Sequence, residues 1–240
     1  MLVQRLARSA PPWFPKAAMK DPLSTTPVNR RVLIGQYDSP YVRRVAIALQ
    51  IYGIEYEQRP WSVMRDAAKI AQYNPLRRVP TLILPDGQIL VESHLILDAL
   101  DEEVSDDVVL LPRRGPVRRR GLQICGLSMG LADKAVSLIY DGLFRDEGAP
   151  RQRWIERCEA QVTDTALRLE QVRAGASGEW LLGAGLSHAD VALAVAWRLT
   201  EQGAPRVCAA LDVPAIRAHS ARCEAMDVFE RVHLPLTFPT

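Results

Sequence analysis

Strand-like runs in this 240-residue chain all end by residue 91, and from Pro116 onward apolar residues recur only at helical spacing. That division argues against one continuous sheet. It predicts a small mixed layer of strands and helices followed by an all-helical half. Val32, Leu33 and Ile34 form an apolar run stopped by Gly35 and the polar Asp38-Ser39-Pro40, the pattern of a buried strand ending in a turn. Pro40 fits the first turn of a helix, where its missing N–H costs nothing, and Val42, Val45, Ala46, Leu49 and Ile51 carry that helix to Gly53. A second strand is predicted over Ile54 to Gln58, a helix over Val63 to Gln72 and a third strand over Thr81 to Leu84. Asp86-Gly87 marks a tight hairpin into Ile89 to Val91. Ser93 is the expected N-cap of the next helix, whose apolar face is Leu95, Ile96, Leu97 and Leu100.

Five acids between Asp101 and Asp107 and five arginines between Arg113 and Arg120 read as an exposed, solvated connector rather than an anion or partner site. Beyond it, Ile155, Cys158, Val162, Ala166, Leu169 and Val172 mark one buried helical stripe. The pattern breaks at Gly183 and Gly185. It restarts at Ser187, where Ser187 and Asp190 form a capping-box pair with Leu186 and Val191 as its hydrophobic staple. The expected organisation is an extension over 1–30, a mixed domain over 31–105, a linker over 106–116 and a helical domain over 117–240. Met19 is a candidate natural start, because the first 20 residues hold three prolines and no continuous apolar stretch.

Composition narrows the partners. The formal net charge is +2 and no basic stripe is interleaved with aromatics, so no nucleic acid is expected. Charged residues interrupt every long apolar run, so no membrane span is expected either. Cys125, Cys158, Cys208 and Cys223 are widely spaced, without a CxxC pair, which suits a reducing, cytoplasmic compartment. His219 and Cys223 are four apart but no second pair joins them, so no metal is expected. Phosphate-cradling glycine loops and the GxSxG elbow are absent from the sequence.

Three short segments remain as candidates for chemistry. Ser39 stands where a strand ends and a helix begins, so a thiolate held there would meet a hydroxyl and the helix dipole, both of which lower a thiol's pKa from about 8.5. Arg78-Val79-Pro80-Thr81 puts a proline at the mouth of a strand; if that bond is cis, the Val79 backbone is exposed and an extended peptide-like ligand can pair with it. Glu92-Ser93 offers a carboxylate for a ligand ammonium, and a hydroxyl with helical N–H groups for a ligand carboxylate. Taken singly, each is equally a turn or a cap.

Their order, with the stretches DSPYVRRV, NPLRRVPTL, GQILVES and WLLGAGLSHADVALA, resembles the soluble glutathione S-transferase family over residues 31 to about 230. The resemblance implies a thioredoxin-like α/β first domain, an all-α second domain, a homodimer and a role in detoxification. It implies that Ser39 hydrogen-bonds the glutathione thiolate, that Val79 beside a cis Pro80 pairs with the cysteinyl backbone, and that Glu92 and Ser93 hold the γ-glutamyl end. Arg78 would lie near the glycyl carboxylate. Tyr37 is the competing hydroxyl, since other classes use a tyrosine on the first strand. Arg77 departs from the glycine usual in the NPxGxVP pattern, and the lack of cysteine before residue 125 counts against members that use an active-site cysteine, leaving a Ser-type, bacterial-like member. The implied reaction joins glutathione to a small hydrophobic electrophile in a pocket partly lined by the helix from about Pro116 to Phe144, with Tyr140 as a candidate there. A glutathione-dependent disulfide or peroxide reductase and a non-catalytic binding module are the alternatives.

Overall fold

The computed structural model describes residues 25–146, 153–183 and 185–236. The expected extension over 1–30 lies for its first 24 residues outside the described residues. Four short strands, β1 (Arg31–Ile34), β2 (Tyr56–Arg59), β3 (Thr81–Ile83) and β4 (Ile89–Val91), form one sheet in the order β2-β1-β3-β4. β1 and β2 run parallel, while β3 is antiparallel to β1 and to β4.

Helices cover both faces of this sheet, which is why the central strands β1 and β3 are apolar and buried, while the edge strand β2, Tyr-Glu-Gln-Arg, is not. Alternation along β1 sends Leu33 to one side, with Leu82 of β3 and the helices α1 (Pro40–Ile51) and α3 (Ser93–Asp101). Val32, Ile34 and Ile83 go to the other side, under Ile70 of the one-turn helix α2 (Ala67–Ile70), Trp61 and Val63. The helix expected over Val63 to Gln72 is therefore much shorter. Its first part is a turn in which the Asp66 carboxylate accepts from the Ser62 N–H, and the Ser62 hydroxyl accepts from Met64 and Arg65.

The remaining helices are α4 (Pro116–Phe144), α5 (Arg153–Ala174), α6 (His188–Gly203), α7 (Pro205–Ala209), α8 (Pro214–Glu224) and α9 (Asp227–Glu230). By length and composition α4 could cross a membrane, in contrast to the reading of its charges; here it is the central bundle helix, burying Ile124, Ser128, Leu131, Ala135 and Ile139 against its neighbours. The Asp190 carboxylate accepts from the N–H groups of Ser187 (2.9 Å) and Leu181 (2.8 Å) and from the Ser187 hydroxyl, tying the loop before α6 to its first turn.

Buried charge joins the two halves, and here the sequence reading needs correcting. Arg43 and Arg44 of α1 are each only 3% exposed, because α1 is packed against the sheet on one side and α6 on the other. Arg43 donates to Glu224 on α8 and to the carbonyls of Phe229 and Val232, holding the C-terminal segment against α1. Asp101, expected in the exposed connector, is buried and accepts from the Tyr52 hydroxyl while pairing with His188 Nε2 at 2.8 Å. Leu110 and Leu111 of the connector are buried as well, while its other charges lie at the surface, with Arg113 on Asp106 and Arg118 on Asp98.

Burial holds the His188 pKa below its ordinary value, although Asp101 opposes the shift, and burial lowers His219 as well. Both imidazoles thus bind fewer protons in the folded chain than in the unfolded chain, so their contribution is present above a pH of about 6.5 and is lost as pH falls below it. The thermal midpoint is expected to drop between pH 7.5 and 5.5, with a shallower slope in His188→Gln, measured by circular dichroism; equal slopes would assign the loss to other groups.

Candidate functional site

Strand register brings the three candidate segments together. Ile34 of β1 lies opposite Thr81 of β3, and Thr81 lies opposite Val91 of β4, so the end of β1, the start of β3 and the end of β4 share one edge of the sheet. The residues just beyond them are Gly35 to Ser39, Val79-Pro80 and Glu92-Ser93. The family resemblance implied this neighbourhood; antiparallel pairing of β3 with both flanking strands creates it.

Ser39 is the N-cap of α1, with its Oγ accepting a long bond of 3.4 Å from the Val42 N–H. A hydroxyl has one proton to donate beside its two lone pairs, so Ser39 can cap the helix and still donate to an anion in front of it. The α1 N-terminus adds its partial positive charge, and no acid occupies its first turn. Tyr37 is oriented differently: its hydroxyl pairs with that of Tyr56 on β2 at 2.8 Å. Burial, then that hydrogen bond, pushes the Tyr37 phenol far above its ordinary range.

The Val79-Pro80 bond is cis, and Pro80 is buried. Asn74, which sequence reasoning passed over, holds this loop from beneath: its Nδ2 donates to the Arg78 carbonyl (3.0 Å) and to Thr81 Oγ1 (3.2 Å), and its Oδ1 accepts from the Leu76 N–H (3.0 Å). Gly35 was also missed. A β-carbon there would lie 2.5 Å from a Val42 methyl and 2.9 Å from Val79 Cβ, and its φ of 133° is open mainly to glycine. Arg77 has φ 54°, the left-handed conformation that a glycine would adopt without cost. The departure from NPxGxVP therefore leaves the backbone path intact.

Glu92, not Ser93, is the N-cap of α3, and Ser93 is the first helical residue. This corrects the expected cap. Glu92 has φ 67° and makes no side-chain cap bond; its carboxylate instead accepts from Arg78 at 3.4 Å. The early N–H groups of α3 are left without intrahelical acceptors, beside the buried Ser93 hydroxyl. Strained backbone at a helix start is a recurrent feature of ligand clamps.

Two tyrosines stand over this edge. Tyr140 of α4 is 40% exposed and edge-on to the exposed Phe144, and the charges acting on its phenol are those of Arg78 and Asp38. Burial pushes up the phenol of Tyr41, the second residue of α1, which also feels Asp133, Arg78 and Glu92. No group of three or more His, Cys, Asp or Glu suited to a metal occurs among the described residues; His219 and Cys223 lie buried, their Nε2 and Sγ 3.6 Å apart.

Residues 33–107 match the glutathione S-transferase N-terminal domain family. Glutathione S-transferase U4 of Arabidopsis thaliana is 34% identical over 79 residues, 32% of this chain, and the chain spans only about a third of the length of this and the next such relatives. The probable maleylacetoacetate isomerase 1 of Drosophila melanogaster is 28% identical, with 93% of this chain and 89% of that protein covered. A solved glutathione S-transferase from Methylobacterium radiotolerans JCM 2831, in complex with glutathione sulfonate, superposes with a TM-score of 0.79 at 25% identity, covering 88% of this chain and 98% of that one. The fold is thus the thioredoxin-like plus helical architecture seen in solved glutathione S-transferases.

Replacing Asn74 by Ala leaves buried donors and acceptors unmatched and is expected to cost about 2–4 kcal/mol in urea denaturation. Arg77→Gly is expected to gain roughly 0.5–1 kcal/mol in the same assay, since it relieves the left-handed conformation; a loss would mean that the Arg77 side chain contributes more than its backbone costs.

Proposed function

We propose that the chain is a glutathione transferase in which Ser39 donates a hydrogen bond to the bound thiolate and the product is a thioether with a small hydrophobic electrophile. The observation that carries this reading is the shared edge: an N-capping hydroxyl, a cis X-Pro backbone and a strained Glu-Ser helix start lie side by side. A tripeptide thiol matches all three. Its cysteinyl backbone pairs with Val79 as an added strand, its α-carboxylate meets Ser93 and the start of α3, and its ammonium meets Glu92. Arg78 lies within reach of the glycyl carboxylate.

Ser39 is preferred to Tyr37 because it stands at the head of α1, where the helix dipole adds to its hydrogen bond, whereas the Tyr37 hydroxyl is turned towards that of Tyr56. The protein lowers the thiol pKa and holds the sulfur near its target; the thiol proton leaves to solvent, the carbon–sulfur bond forms, and the leaving group departs or the conjugated bond takes a proton. Tyr41, Tyr140 and Phe144 provide an aromatic wall for the electrophile. A homodimer in a reducing, cytoplasmic setting belongs to the same proposal, and all four cysteines are free and buried, which suits that setting. Burial raises the pKa of Cys125 and pushes Cys208 up to about 11, so the disulfide-reductase alternative would run on the bound glutathione thiolate itself.

Steady-state assays with 1-chloro-2,4-dinitrobenzene and other small electrophiles, run beside a small-disulfide assay, test the proposal. Conjugation is expected to exceed disulfide reduction, and Ser39→Ala is expected to lower kcat/KM for conjugation about 100- to 1000-fold, the range seen when one donor to a reacting anion is removed. No glutathione binding and no turnover of either class would favour the binding-module reading.

A further inference from the structure

The chain beyond α9, residues 232–236, forms a short strap that two arginines hold by its backbone. Arg43 of α1 donates to the Val232 carbonyl at 3.0 Å, and Arg198 of α6 donates to the Leu234 carbonyl at 3.4 Å. The two terminal nitrogens of Arg198 also lie 2.9 and 2.8 Å from Nδ1 and Nε2 of His233, and the Leu236 N–H donates to Gln202 Oε1 at 3.2 Å. These bonds set the Leu236 side chain against the cluster of Ala132, Ala135, Ile139 and Leu199. Tyr41 packs on that same cluster from the head of α1, so the strap ends behind the aromatic wall of the proposed electrophile pocket.

His233 is the one titratable residue of the strap, Val-His-Leu-Pro-Leu, and it is exposed, so protons reach it. The charges that face it are Arg198 of α6, Arg43 of α1, Glu224 of α8 and Glu230 of α9. Glu224 is already shared, since both its oxygens accept from Arg43 and one accepts from Arg198 at 3.1 Å. A neutral imidazole keeps one lone pair to which a guanidinium can donate; an imidazolium has none and would set its N–H groups against those of Arg198. Burial, then Arg198 and Arg43, hold the His233 pKa below its ordinary value. The folded chain thus favours the neutral ring, a preference present above a pH of about 6.5 and lost as pH falls below it.

We infer that His233 and Arg198 form a pH-sensitive latch: the neutral imidazole holds the strap and Leu236 in place, and protonation releases the strap and loosens the pocket wall at Tyr41. The latch stands on these bonds alone, while its effect on the pocket rests on the glutathione reading.

Hydrogen exchange of the full chain, read by mass spectrometry on the C-terminal peptide that holds Val232, His233 and Leu236, tests the latch. Corrected for intrinsic exchange, protection of this peptide is expected to fall about tenfold or more between pH 7.5 and 5.5 in the wild type. His233→Gln, whose amide oxygen accepts from Arg198 without titrating, should keep its protection at both pH values, and His233→Lys should lack it at both. Equal losses in wild type and His233→Gln, or full protection of His233→Lys at pH 7.5, would overturn the latch. S-methylglutathione and S-hexylglutathione, which differ only in the chain that enters the pocket, test the coupling by calorimetry. The preference for the hexyl thioether is expected to drop about threefold or more at pH 5.5 in the wild type and to stay constant in His233→Gln. A strap that opens without changing that preference would overturn the coupling. Failure of both thioethers to bind would overturn the glutathione reading and the coupling with it, the latch itself being decided by exchange.

Discussion

Gly35 has no room for a β-carbon, and the site depends on that close approach. The chain leaves β1 with Ile34 still in the ladder and must pass between Val42 on the first turn of α1 and Val79 before β3. A side chain at residue 35 would push α1 from the loop that carries Pro80, and with it the Ser39 hydroxyl from the Val79 backbone. Asn74 works from the other side, locking the Arg78 carbonyl and Thr81 with one amide. Ligand-facing groups are thus set by tight packing and buried hydrogen bonds behind them, and neither Gly35 nor Asn74 has to touch the ligand. Rigid support of this kind is what lets a hydroxyl and a backbone amide act as preorganised donors.

Much of the architecture was legible because it follows from local chemistry. The Val32-Leu33-Ile34 run, the Asp86-Gly87 turn, Pro40 at a helix start and the Ser187–Asp190 pair each encode their structure within a few residues. What could not be read is what tertiary packing decides. Arg43 is buried because Glu224 and the carbonyls of Phe229 and Val232, far away in sequence, close over it. Asp101 sits in an acidic run, and only the approach of Tyr52 and His188 separates it from its solvated neighbours. The short α2 lost most of its expected length to Ser62 and Asp66, whose side chains compete for backbone N–H groups. Within the site, the residue identities were readable but their company was not: the pairing of Tyr37 with Tyr56, the bond between Arg78 and Glu92, and the shift of the cap from Ser93 to Glu92 all depend on strand register and loop geometry.

The two halves meet through buried polar groups as well as through apolar packing. Asp101 links α3 to Tyr52 at the end of α1 and to His188 at the start of α6; Arg43 links α1 to α8 and the C-terminal segment. α1 is common to both links and carries Ser39 at its head. Loss of either link would therefore alter the position of the hydroxyl as well as the stability of the fold, because breaking a buried pair leaves one partner without compensation. This arrangement places the candidate active edge and the inter-half contacts on a single helix.

The central claim is that Ser39 at the head of α1 stabilises a thiolate, and ultraviolet difference spectroscopy of bound glutathione against pH measures that directly. The account predicts a thiolate band that titrates well below the free thiol's pKa in the wild type and in Tyr37→Phe, and that moves up by one unit or more in Ser39→Ala, about 1.4 kcal/mol of lost stabilisation. A bound thiol that titrates alike in wild type and Ser39→Ala but shifts upward in Tyr37→Phe would contradict it.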